Sequence, residues 1–268
     1  MQNRIDATFA RRRSEGGKTL AVFLTAGFPS PGLSGPLLEA IAAGGADILE
    51  IGIPFSDPIA DGPTIQESSE ISLRQGTTLE KIFTLAEDFR SHSEIPLVLM
   101  GYANPIYSYG CDRFLLRCVE TGCDGIIIPD LTLEEGKSFR DRSADAGIAS
   151  ILLTSPTTPA SRCRQIDEAS RGFLYCVSVT GVTGGGKNLP QDILGYISGV
   201  KSLIRRNPLM VGFGIASPDD ARLISGVSDG VIIGSSLIRT IRDHSGPELM
   251  PAVSGFIRSM RDAIDRTS

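Results

Sequence analysis

Eight short apolar runs, separated by stretches of helical periodicity, limit what this chain can fold into more than any other feature. The runs are TLAVFLTAG (19–27), ADILEIGI (46–53), IPLVLMGY (95–102), CDGIIIPD (123–130), IASILLTS (148–155), GFLYCVSV (172–179), LMVGFGI (209–215) and DGVIIGSS (229–236). Each is rich in Val, Ile and Leu on both alternating faces, as strands covered on both sides must be. Segments such as 33–45, 112–123, 134–147 and 217–227 lie between them. Most carry apolar residues at helical spacing and a glycine near the end, a common helix stop. Thr77-Thr78-Leu79-Glu80 has capping-box spacing and is expected to open a helix at about 78–91. Eight βα units without a linker predict an α/β fold: a single (β/α)8 TIM barrel spanning 1–268. An extra N-terminal helix is expected over about 2–14, and long loops after strands 2 (54–77) and 6 (180–190). A doubly wound open sheet is the competing architecture, but no GxGxxG follows the first strand.

Composition narrows the function classes. Hydrophobic residues make up 41% and mean hydropathy is +0.07, values that fit a globular chain with a large core. The formal net charge of −5 gives no help to binding nucleic acid or anionic lipid. The one basic run, Arg11-Arg12-Arg13, is read as a solvated face of the first helix. No apolar run approaches the roughly 18–20 residues of a membrane span, and the first residues lack a secretory h-region, so a cytoplasmic protein, or an organellar chain already processed, is expected. The five cysteines, at 111, 118, 123, 163 and 176, form no CxxC pair and read as buried or idle thiols. Two histidines, His92 and His244, cannot build a His₃ site, so no metal site is expected.

In a barrel the chemistry sits at the C-terminal ends of the strands. Strand 7 ends in Gly212-Phe213-Gly214, and strand 8 in Gly234-Ser235-Ser236 followed by a helical stretch. Such glycines let backbone N–H groups approach an anion, and a helix N-terminus adds partial positive charge. Turn glycines and an N-cap serine are the plainer reading; two such ends side by side favour a phosphate site. The loop 181–190, with Gly184-Gly185-Gly186, reads either as a lid over the mouth or as a floppy linker. A P-loop is excluded, because Lys187 is followed by Asn188.

The stretch LEIGIPFSDPIADGPTIQ (49–66) carries three acids. Side chains alternate along strand 2, so Ile48, Glu50 and Gly52 share one face and Leu49, Ile51 and Ile53 the other. The Leu/Ile face suits the outer helices, and Glu50 then points into the barrel near its upper end. A desolvated acid there holds its proton near neutral pH, as a general acid–base requires. A buried ion pair is the alternative, but neighbouring strands 1 and 3 offer no basic residue. Asp61, before Gly62-Pro63, is either a helix N-cap or a site residue. Asp57, in Ser-Asp-Pro, fits a turn, an interface or the site.

With these residues in place, the chain resembles the tryptophan synthase α subunit family. LEIGIPFSDPIADG (49–62) fits the family signature position by position. PTIQ (63–66), MGYANP (100–105), IIIPDL (126–131), YCVSVTGVTG (175–184), VGFGI (211–215) and the strand 8 Gly-Ser follow in order. The resemblance implies retro-aldol cleavage of indole-3-glycerol phosphate to indole and glyceraldehyde 3-phosphate. It implies that Glu50 shuttles protons and that Asp61 accepts the indole N–H and stabilises the cationic indolenine. Phe23, Tyr102 and Tyr175 would line the indole pocket. Gly184, Gly214, Gly234 and Ser235 would hold the phosphate, and Thr183 would position Asp61. The implied partner is a pyridoxal-phosphate β subunit that receives indole, with Asp57, Pro58, Asn104 and Asp130 as the implied contacts. No cofactor is expected in this chain. One departure stands out: where the family often carries an arginine soon after GVTG, this chain has Gly185-Gly186-Lys187. A barrel that only regulates its partner could dispense with Glu50 or Asp61, and both are present; a stand-alone lyase releasing free indole shares the same motif.

Overall fold

The computed structural model describes residues 3–177, 193–212 and 214–266. Helix α1 (Arg4–Ser14) precedes β1 (Thr19–Thr25), and α2 (Ser34–Ala43) leads to β2 (Ile48–Gly52). Two helices, α3 (Pro63–Arg74) and α4 (Leu79–Arg90), separate β2 from β3 (Leu97–Met100). Two more, α5 (Ala103–Tyr109) and α6 (Cys111–Glu120), lead to β4 (Gly125–Ile127). Then α7 (Lys137–Asp145), β5 (Ala149–Thr154), α8 (Ala160–Ala169), β6 (Leu174–Val177), α9 (Ile193–Leu203) and β7 (Leu209–Gly212) alternate. The chain continues through α10 (Pro218–Ser225), β8 (Gly230–Ile233), α11 (Ser235–Asp243) and α12 (Leu249–Asp265). The eight strands pair in sequence order, all parallel, and β8 closes on β1 with Thr19 opposite Gly230. The expected barrel is therefore present, with each strand inside its apolar run and the expected N-terminal helix beginning at Arg4. Asn3 caps that helix by accepting from Ile5 N at 2.9 Å.

Aspartates staple the lower rim. Asp47, just before β2, accepts from Leu20 N of β1 at 3.0 Å. Asp124, before β4, accepts from Leu97 N of β3 at 2.9 Å, and Asp229, before β8, from Leu209 N of β7 at 2.6 Å. Each also has a cation: Arg11 and Arg261 for Asp47, Arg4 and Arg90 for Asp124, Lys201 for Asp229. A buried carboxylate needs both kinds of partner. Of the basic run read as a solvated face, Arg11 and Arg13 are exposed as expected and Arg12 is not. Arg11 reaches Asp47, and Arg12 is largely buried between Lys18 O (3.1 Å) and Asp265 (2.6 Å), tying α1 to α12.

Two further expectations change. Residues 63–74 of the stretch read as a loop after strand 2 are helix α3. Its core-facing residues are Ile65, Ser68, Ser69 and Ser72, so its buried side is mostly hydroxyl and hides the helical periodicity. The hydroxyls are satisfied locally: Ser68 with Thr25 Oγ1 at 2.7 Å, and Ser72 donating to Ala26 O at 2.5 Å. The capping box at 77–80 does not form either. Thr78 is the cap of α4, accepting from Lys81 N at 3.4 Å. Glu80 is drawn instead to Tyr109 Oη (2.7 Å) and to Arg113 on α6, which hold its carboxyl below the usual range.

Candidate active site

Two acids lie three residues apart, Asp47 just before β2 and Glu50 at its centre, and the two have opposite surroundings. Asp47 at the bottom is stapled and paired. Glu50, three residues on, is wholly buried, and neither carboxyl oxygen has a hydrogen-bond partner among the described residues. Burial alone pushes its pKa up to about 8. The inward orientation expected from alternation thus leads to the dry, unpaired acid that the sequence reading anticipated.

Above Glu50 lies a cavity of about 470 Å³ including its open mouth, lined by Phe23, Asp61, Ile65, Met100, Tyr175, Gly214, Ile215, Ile232, Gly234 and Ser235. Six of these were singled out from the sequence. The aliphatic members Ile65, Met100, Ile215 and Ile232 were not, because apolar residues in helices and near strand ends look like ordinary core. Glu50 reaches this floor through its neighbours: Phe23 is its partner on β1, and its charge is felt by the buried Tyr175 hydroxyl. Burial first, then Glu50 and Asp61, hold that phenol well above its ordinary pKa.

Glycines make room for the two aromatic walls. A Cβ at Gly52 would stand 2.4 Å from the Phe23 ring, and one at Gly212 would stand 2.2 Å from Tyr175 Oη. Gly212→Ala is therefore expected to drive the Tyr175 phenol into the cavity. Thermal unfolding should show a loss of about 1–3 kcal/mol, the usual cost of overpacking, and steady-state kinetics a raised KM. Unchanged stability and KM would contradict this geometry.

Asp61 is buried at the end of the β2 loop. Its Oδ2 accepts from Tyr102 Oη at 2.9 Å. Burial raises its pKa to about 6, with the tyrosine hydrogen bond pulling the other way. The N-cap of α3 is Gly62, with no side-chain cap bond, so Asp61 does not serve as the cap. Tyr102 stands beside Asp61, its ring against Phe55 at 5.3 Å between centroids.

At the opposite wall Gly214 has φ of +80°, and Gly234 sits at the N-cap of α11, followed by Ser235. A Cβ at Gly234 would meet nothing nearer than 3.6 Å, so internal crowding does not demand glycine there. Ser236 is committed inward, donating to Ile215 O at 3.0 Å, while Ser235 faces the cavity. The N-terminus of α11 thus faces an open wall suited to an anion. Thr183, Gly184 and Lys187, with the rest of 178–192, lie outside the described residues.

Asp57, Pro58, Asn104 and Asp130 occupy the loops and helix start above the barrel. Asp57 accepts from Ser56 Oγ at 2.5 Å, and Asp130 accepts from Ala103 N at 2.9 Å at the start of α5. Between Pro58 and Ala60 stands Ile59, 79% exposed, an apolar residue at a loop tip that the sequence reading passed over. Among the described residues no three His, Cys, Asp or Glu side chains gather to hold a metal ion, and no helix is long and apolar enough to cross a membrane.

Residues 9–262 match the family model described as tryptophan synthase alpha chain. A tryptophan synthase alpha chain of Geotalea uraniireducens is 40% identical over 262 residues, covering 98% of each chain. One of Azoarcus sp. is 41% identical over 264 residues, covering 98% of this chain and 97% of the relative. The crystal structure of the tryptophan synthase alpha chain from Legionella pneumophila superposes with a TM-score of 0.91 at 36% identity, covering 99% and 98% of the two chains.

Proposed function

The chain belongs to the tryptophan synthase alpha chain family, and from that premise we propose that Glu50 and Asp61 carry its reaction. The alpha chain is a lyase that cleaves indole-3-glycerol phosphate to indole and glyceraldehyde 3-phosphate and supplies the indole to the beta subunit. The observation that carries the residue assignment is Glu50: buried, unpartnered and holding its proton to about pH 8 beside the cavity.

Glu50 begins as the acid and protonates the indole ring carbon that bears the glycerol side chain. Ionised Asp61 accepts the indole N–H and stabilises the cation that results. Glu50, now a carboxylate, takes the proton from the hydroxyl beside the breaking bond. The carbon–carbon bond electrons return to the ring, and the hydroxyl carbon becomes the aldehyde. Glu50 ends as it began, protonated. Phe23 and Tyr175 form the apolar walls for indole, with Tyr102 at the back. Gly214, Gly234 and Ser235 take the phosphate at the α11 N-terminus. Thr183 and Gly184 complete the set by resemblance.

Residues 1–268 act as one domain in this reading, in the cytoplasm and in an α2β2 assembly. Asp57, Pro58, Asn104 and Asp130 face the beta subunit, and exposed Ile59 adds apolar surface to that edge. Pyridoxal phosphate belongs to the beta subunit, and no cofactor is assigned to this chain.

The test is indole release from indole-3-glycerol phosphate, with and without the beta subunit, across pH. The substrate phosphate itself titrates near 6, so kcat/KM is expressed per substrate dianion. Asp61 must be ionised and Glu50 protonated. A bell is expected, rising through about 6 and falling through about 8. A flat profile would remove both assignments.

A further inference from the structure

Resting on the reading of Asp61 as the acceptor of the indole N–H, we infer that Tyr102 is a positioning residue: it acts through Asp61, holding that carboxylate ionised and aimed.

Its hydroxyl is fixed on two sides. Ala60 N donates to Tyr102 Oη at 3.0 Å, and the hydroxyl in turn donates to Asp61 Oδ2 at 2.9 Å. Its backbone is anchored as well, since Tyr102 follows β3 and the next amide, Ala103 N, is held by Asp130. The ring is buried against Phe55, which lies on the same 53–61 loop as Asp61. One side chain from the end of β3 thus holds both the main chain at Ala60 and the carboxylate at Asp61.

The groups facing Asp61 give the bond its importance. Glu50 from β2 and Tyr175 from β6 share its surroundings, since both acids act on the Tyr175 phenol, and Asp130 lies near Tyr102. No lysine or arginine pairs with Asp61 among the described residues. Against burial, the Tyr102 hydrogen bond is what favours the ionised form.

Tyr102→Phe keeps the ring and its stack while removing the donor. Losing the bond raises the Asp61 pKa, so the rising limb of kcat/KM per substrate dianion should move up by roughly one pH unit, the size of one charge-assisted hydrogen bond. The activity loss should be about tenfold below pH 6 and shrink toward pH 8. Incorporating 3-fluorotyrosine at position 102, a stronger donor in the same ring, should move the limb down. A limb that stays in place in both proteins overturns the proposal, whether activity is retained or falls by one factor at every pH. Should Tyr102→Phe fail to fold, the fluorotyrosine protein decides alone. Failure of the underlying reading looks different: there Asp61→Asn would keep its activity.

Discussion

Glu50→Gln is expected to lower indole release by a factor of about 10²–10⁴, the range for a lost general acid–base, while leaving the fold intact. Glutamine keeps the shape and removes the exchangeable proton. Its effect on stability separates lost chemistry from lost structure. The folded-state pKa of Glu50 is raised from 4.5 to about 8. The wild-type protein therefore carries no ionisation penalty below about pH 4.5, loses stability as pH rises from there toward 8, and loses no more above it. By linkage the full loss is of order 5 kcal/mol at most. A buried amide without partners costs about 1–3 kcal/mol at every pH. Glu50→Gln should thus gain on the wild type as pH rises, and at pH 8 should be at least as stable. Thermal unfolding at pH 5 and pH 8, beside the indole assay, checks both halves. An inactive protein destabilised equally at both values would make Glu50 a structural residue.

Asp61→Asn should reduce turnover by about 10²–10³, the scale for removing one charged stabiliser from a dry site. An asparagine oxygen can still accept the indole N–H, but it cannot balance the positive charge that develops on the ring. Binding at the phosphate wall should survive, since Gly214, Gly234 and Ser235 stand on β7, β8 and α11, away from the β2 loop. Product inhibition by glyceraldehyde 3-phosphate should accordingly stay within about twofold of wild type. Helix α3 should be unaffected, because its N-cap is Gly62. If product inhibition were lost along with turnover, Asp61 would be shaping the cavity rather than meeting charge.

Much of this was legible before any coordinates. Strand alternation has a period of two, so the inward orientation of Glu50 follows from its neighbours in the chain. Glycine-rich ends of two adjacent strands likewise pointed to the wall proposed for the phosphate from short stretches of the chain. Gly62-Pro63 signalled a helix start, but the body of α3 was hidden because serines occupy its buried side, where a pattern reading looks for apolar residues. Only Arg12 in the basic run of α1 departs from its reading, because Asp265 is distant in sequence and adjacent only after folding. Tyr102 looked like an aromatic wall, and no local signal says that its hydroxyl meets an acid forty-one residues away.

By itself, then, the sequence determined the eight-stranded barrel, and it pointed to the rim and the two acids to which the proposed function assigns the chemistry. These rest on periodicity and on motifs within short windows. The partners of each acid were decided by the tertiary structure alone. Asp47 and Glu50 sit on one five-residue strand and its approach, yet one is stapled and paired and the other is left dry. The difference arises because barrel closure brings amides and arginines of distant segments to the lower rim, and only apolar and aromatic walls to the floor of the mouth. A carboxyl group's protonation follows from what surrounds it in space, and that is settled only when the strands close.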